Sequence, residues 1–117
     1  MDTFSIKRVD HQDVSTLYLE GFLDAHTAPE LEAQLEKLIE EGRYQIVVNF
    51  KDLNYISSAG LGVFMGYIET IRSNGGDIKM SNMSPKIYRV FDLLGFPTLY
   101  SIVEAENEAI ELFDKPN

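Results

Sequence analysis

Apolar positions in this chain recur at two spacings, and the changes from one to the other mark out its elements. Phe4, Ile6 and Val9 stand among Ser5, Lys7 and Arg8 in a loose alternation that predicts a strand. After a turn at His11-Gln12-Asp13, Leu17 and Leu19 fall on one face of Val14–Phe22, and Thr16, Tyr18 and Glu20 on the other. That period of two predicts a second strand and a β-hairpin. Gly21 either ends the pattern or admits another backbone. The period then lengthens. Leu31, Leu35, Leu38 and Ile39 form the apolar stripe of a helix from about Ala28 to Glu41. Thr27 and Glu30 have capping-box spacing, Pro29 suits the first turn and Gly42 the end.

Gln45–Phe50 is a short, nearly continuous apolar run, as in a strand buried on both faces. Leu61, Phe64, Ile68 and Ile71 return to helical spacing over about Ser58–Ser73, which Asn74-Gly75-Gly76 stops. Asp77–Met80 predicts a fourth strand. Ser84-Pro85 opens a short helix with Ile87, Val90, Phe91 and Leu94, ended by Gly95 and a turn at Phe96-Pro97. Thr98–Val103 predicts a fifth strand. Glu104–Phe113 predicts a last helix, with Ala105, Ala109, Ile110 and Phe113 inward and Lys115–Asn117 as a frayed end. A strand, helix and strand in succession imply a right-handed crossover and parallel pairing. The expected fold is α/β: one mixed sheet of about five strands, opened by a hairpin, with about four helices against it.

Composition narrows the function. One domain is expected over residues 1–117, and 44% apolar residues suffice for its core. There is no cysteine, which excludes disulfides and thiolate chemistry. The net charge is −9, and the ten Lys and Arg are scattered. Binding to nucleic acid or to an anionic membrane needs clustered cations, so neither is expected. No signal peptide or membrane-length apolar segment is legible, and a cytoplasmic monomer is the expectation.

Candidate chemistry concentrates in Asn54–Gly62, at the junction between the third strand and the second long helix. Ser57 and Ser58 stand where a helix has free N–H groups and the positive end of its dipole. A nucleophile elbow requires glycine two residues before the serine, where Ile56 precedes Ser58. The two histidines, His11 and His26, lie in no context that marks a base. No phosphate-binding P-loop is present, and Gly60-x-Gly62 lacks the third glycine of a dinucleotide fingerprint. The carboxylates, Asp24 and Asp52 among them, show no metal-ligand spacing, so no metal and no cofactor is expected. Two readings of the serines remain: a helix cap, or a hydroxyl that receives phosphate and so alters a docking surface.

Three segments resemble the STAS family of bacterial anti-sigma factor antagonists. They are Gly21-Phe22-Leu23-Asp24-Ala25-His26-Thr27-Ala28-Pro29-Glu30-Leu31, Ile46–Leu53 and Tyr55-Ile56-Ser57-Ser58-Ala59-Gly60-Leu61-Gly62. The resemblance implies a non-enzymatic binding protein acting by partner switching. Unphosphorylated, it would bind an anti-sigma factor with serine/threonine kinase activity and free a sigma factor. Phosphorylation would release it, and a metal-dependent serine phosphatase would reset it. The resemblance places the phosphoacceptor at Ser58, with Ser57 as rival. It implies a partner surface of Asp24, Thr27, Ser57, Ser58, Ala59, Gly60, Leu61 and Gly62. Ser57 stands where the family often has Asp, and Ala59 where it has a second hydroxyl. The alternative is a STAS-type scaffold subunit of a signalling or transporter complex, with no phospho-switch.

Overall fold

The computed structural model describes residues 3–114, so the expected frayed end at Lys115–Asn117 lies outside the described residues. The strands are β1 (Phe4–His11), β2 (Val14–Leu23), β3 (Gln45–Ile56), β4 (Asp77–Ser81) and β5 (Ile102–Val103). The helices are α1 (Ala28–Glu40), α2 (Ser58–Ser73), α3 (Pro85–Leu93) and α4 (Glu106–Asp114). The five strands form one sheet in the order β1-β2-β3-β4-β5. β1 and β2 pair antiparallel as a hairpin, and the remaining neighbours are parallel. Gly21 admits a close backbone: at φ +96° its absent Cβ would stand 1.9 Å from the carbonyl oxygen of Thr3, which accepts the N–H of Phe22 at 3.0 Å.

Alternation along the strands sorts the core into two layers. Leu17 and Leu19 of β2, and Ile46, Val48 and Phe50 of β3, pack with Leu31, Leu35, Phe64, Ile87 and Phe91 from α1, α2 and α3. Phe50 meets Phe64 at 5.9 Å and Phe91 edge-on at 5.3 Å, so one aromatic cluster joins sheet to helices. Each such side chain, fully buried, contributes roughly 1.5–3 kcal/mol. On the opposite face α4 sets Ala109 against Val14 and Val47. Polar groups complete that contact. Glu106 accepts hydrogen bonds from Asn49 Nδ2 at 2.9 Å and from the Tyr18 hydroxyl at 2.8 Å. Burial, then the bond to Glu106, pushes the Tyr18 phenol up to about 12, so it remains a donor at neutral pH.

Two boundaries differ from expectation by more than two residues. β3 does not end at Phe50 but continues to Ile56, because Leu53 and Ile56 are buried. Its second half is out of phase. Tyr18 faces Asn49 while Glu20 faces Asp52, and Gly21 faces Leu53 while Phe22 faces Tyr55. Extra residues on β3 at both places break the period of two, as bulges do. The expected fifth strand shrinks to Ile102–Val103, and Phe96–Thr98 forms a 3-10 turn. That turn stacks Phe96 on Tyr100 at 5.1 Å and buries both, which an extended chain would not.

Candidate functional site

The parallel strands end side by side, and helices begin beyond them. In such sheets the carboxyl ends of the strands are where ligands and partners gather. Leu23 and Ile56 form the last residue pair of β2 and β3. The carbonyl of Leu23 then accepts the N–H of Ser57 at 2.9 Å. This bond holds the end of β2, next to Asp24, against the start of α2, next to Ser58.

The two serines have different surroundings. Ser57 is the N-cap of α2: its backbone is extended (φ −101°, ψ 173°) and its Oγ accepts the N–H of Gly60. At 3.4 Å this is a long hydrogen bond. The Ser57 carbonyl takes the N–H of Leu61 at 3.1 Å. Ser58 is the first helical residue and is exposed, as is Ala59. Among the described residues its hydroxyl has no hydrogen-bond partner. The amides of Ser58 and Ala59 belong to the orphan donors of a helix start, where an anion is favoured.

Asp24 and Thr27 hold the neighbouring loop from within. Asp24 Oδ1 accepts the N–H groups of His26 and Thr27 at 2.9 and 3.1 Å. Thr27 Oγ1 accepts the N–H of Asp24 at 3.0 Å and donates to the Phe22 carbonyl at 2.8 Å. The expected Thr27–Glu30 capping box is therefore absent, and Thr27 makes no side-chain cap at all. Its hydroxyl is committed to the strand end, and Asp24 takes the free amides ahead of α1. His26 is exposed, with no hydrogen bond from its ring to Ser58 among the described residues. Among the described residues no base is paired with that hydroxyl, as nucleophilic catalysis would require.

The glycines separate in the same way. Gly60 is buried, and a Cβ there would lie 2.7 Å from Leu23 Cγ. It permits α2 to close on β2, rather than opening the surface to a visitor. Leu61 is buried as well. The accessible part of the set is Ser58, Ala59 and Gly62, and a Cβ on Gly62 would touch nothing within 4 Å. Tyr55, which the implied partner surface leaves out, is 43% exposed and lies 5.8 Å from the ring of Phe22. Pairing register, which sets these two rings opposite each other, was the missing signal.

Residues 5–109 match the STAS domain family. The chain is 32% identical over 100 residues to the anti-sigma-B factor antagonist of Staphylococcus epidermidis, covering 86% of this chain and 93% of that protein. With the anti-sigma-B factor antagonist of Bacillus subtilis (strain 168) it shares 35% identity over 82 residues, 70% of this chain and 74% of that one. Its fold is also that of SpoIIAA, a Bacillus cell fate determinant solved with and without phosphate. The phosphorylated form superposes with a TM-score of 0.72 at 25% identity, over 95% of this chain and 99% of that one. The unphosphorylated form gives 0.74 at 25% identity, over 97% and 100%. The chain belongs to the STAS domain family.

Proposed function

We propose that this protein is an anti-sigma factor antagonist, switched off by phosphorylation of Ser58. The observation that carries the reading is the free, exposed hydroxyl at the first residue of α2, tied through Ser57 to the Asp24 loop. Relatives bearing the name anti-sigma-B factor antagonist support it. So does the existence of a phosphorylated form of the structurally similar SpoIIAA. The protein acts by binding. Unphosphorylated, it occupies an anti-sigma factor and liberates the sigma factor. That anti-sigma factor is a serine/threonine kinase, which transfers the γ-phosphoryl group of ATP to Ser58 Oγ. The hydroxyl proton is lost and ADP leaves. A metal-dependent serine phosphatase restores the hydroxyl.

Phosphate adds about −1.5 to −2 charges. The helix dipole and the amides of Ser58 and Ala59 accommodate them, so the fold survives and the surface changes. A neutral patch fitted to the kinase becomes a hydrated dianion, whose desolvation opposes docking. Incubation with the cognate kinase and Mg-ATP, followed by mass mapping, should place phosphate on Ser58. Labelling of Ser58→Ala at the wild-type level would refute the site, and loss of labelling in Ser57→Ala alone would move it to Ser57. Ser58→Asp should bind the kinase more weakly than wild type. Equal affinity would leave a fixed scaffold in place of a switch.

A further inference from the structure

On its way to Ser58, β3 changes character at Asn49. Up to that point it has a strand on each side. Asn49 is the last residue paired with β4, opposite Ser81, and the last in unbroken register with β2, opposite Tyr18. The next pair is Glu20 with Asp52, so Phe50 and Lys51 together stand opposite Leu19. Among the described residues β2 is then the only strand that pairs with β3, as far as Leu23 and Ile56. A slip of one residue here would send the side chains that follow to the other face and move the start of α2 by roughly 3.3 Å. Burial of Leu53 and Ile56 opposes a slip. Burial is non-directional, however, and does not choose which residue is the extra one.

Asn49 makes that choice with directional bonds. Its side chain is buried, at 7% exposure. Its Oδ1 accepts the N–H of Lys51, inside the bulge, at 2.9 Å. Its Nδ2 donates to Glu106 Oε1 at 2.9 Å and to Asn82 Oδ1 at 3.2 Å. With nitrogen and oxygen exchanged, a donor would face the Lys51 N–H and an oxygen would face the Glu106 carboxylate, so the network admits one orientation. Glu106 takes the Tyr18 hydroxyl on its other oxygen. One carboxylate therefore ties together Tyr18 and Asn49, the last pair before the bulge, and Asn49 caps the bulge itself. Asn82, at φ +60° on leaving β4, is held by the same amide. A buried polar network whose donors and acceptors are satisfied specifies a single arrangement.

We propose that Asn49 is a positioning residue for Ser58: with Glu106 it locks the bulge that sets the register of β3, and so sets where the acceptor hydroxyl is presented. The effect on phosphorylation rests on the function proposed above; the effect on register does not. Phosphoryl transfer needs the attacking oxygen about 3–3.5 Å from phosphorus and in line with the leaving oxygen, and a misplacement of about 1 Å costs up to a hundredfold in rate.

The test pairs amide hydrogen exchange of the full chain with kcat/KM for phosphorylation by the cognate kinase, well below every melting temperature. Asn49→Ala should speed exchange over Lys51–Ser57, leave α1 as it is, and lower kcat/KM about tenfold. Asn49→Asp still accepts from Lys51 but sets a second carboxylate against Glu106, and should lose about as much. Asn49→Asp/Glu106→Gln reverses donor and acceptor in that bond and should restore both readouts to within about threefold of wild type. Ile78→Val, a fully buried change in β4 outside the network, should lower the melting temperature and move neither readout. Glu106→Ala cuts the same tie from a half-buried position and should move both readouts in the direction of Asn49→Ala, which decides the matter if Asn49→Ala does not fold. Unchanged exchange in Asn49→Ala overturns the proposal, as does unchanged kcat/KM where wild type is phosphorylated. So does an equal fall in Ile78→Val, or a double variant no better than Asn49→Asp. If wild type takes no phosphate while exchange rises in Asn49→Ala and recovers in the double variant, the function proposed above fails and the positioning stands.

Discussion

The starts of α1 and α2 are joined through the Leu23–Ser57 hydrogen bond, and each carries two small polar side chains, yet they use them in opposite ways. Before α1, the hydroxyl of Thr27 and the carboxylate of Asp24 turn inward, and between them take up three amides and a carbonyl. At α2, the Ser57 hydroxyl makes a single long bond and, among the described residues, the exposed Ser58 hydroxyl makes none. The first start is architecture and the second is available for chemistry. A polar side chain in a loop is informative about function only once its hydrogen bonds have been accounted for.

The largest contrast between the two is in labelling. Ser58→Ala should lose kinase-dependent phosphate completely, while its unfolding free energy stays within about 0.5 kcal/mol of wild type, as for other surface changes. A marked loss of stability would show that Ser58 is structural. Gly60→Ala comes next. The added methyl meets Leu23 where α2 closes on β2, and overpacking of this kind costs about 1–3 kcal/mol in urea unfolding. In a double-mutant cycle, Gly60→Ala should cost less on a Leu23→Ala background than on wild type, which traces the cost to that contact.

Thr27→Val keeps the shape but strands the Asp24 amide and the Phe22 carbonyl, for roughly 1–2 kcal/mol. The same isosteric loss of a hydroxyl has no counterpart at Ser58, and equal costs at the two sites would erase the comparison. Ser57→Ala should cost about 0.5 kcal/mol, at the low end for a cap because its bond is long. The smallest effect serves as a control far from both starts. The Arg8 guanidinium, hydrogen-bonded to Asp10 and Glu41, holds both carboxyls below their ordinary values. Lowered folded-state values mean that their stabilisation is full above the ordinary carboxylate range and lost as pH falls beneath it. Arg8→Gln should flatten that acid limb in pH-dependent melts and leave Ser58 labelling untouched.

Much of this was legible in the chain. The hairpin, α1 and α2 carry clean periods of two and 3.6, and packing follows them. Ser58 could be placed because a buried strand followed by an apolar helix fixes the junction. The unread parts share a cause: contacts distant in sequence overrode a local pattern. The bulges of β3 hide Leu53 and Ile56 from any alternation. Phe96 and Tyr100 turn inward together and consume most of a strand. Thr27 matches a capping box, but the Phe22 carbonyl holds its hydroxyl. The resemblance counts Gly60 in the partner surface, but Leu23 covers it.

The neutral cap at Ser57 has a consequence for how well the two states can be told apart. No residue between Asp52 and Glu69 carries a charge. An acid at position 57 would give the unmodified form a background of −1, against which phosphate is an increment. With serine there, the segment moves from silence to full signal. The phosphoryl group adds the same charge on either background, but only with serine is the unmodified segment wholly neutral, so Ser57→Asp should weaken kinase binding before any phosphate is added while leaving Ser58 in place.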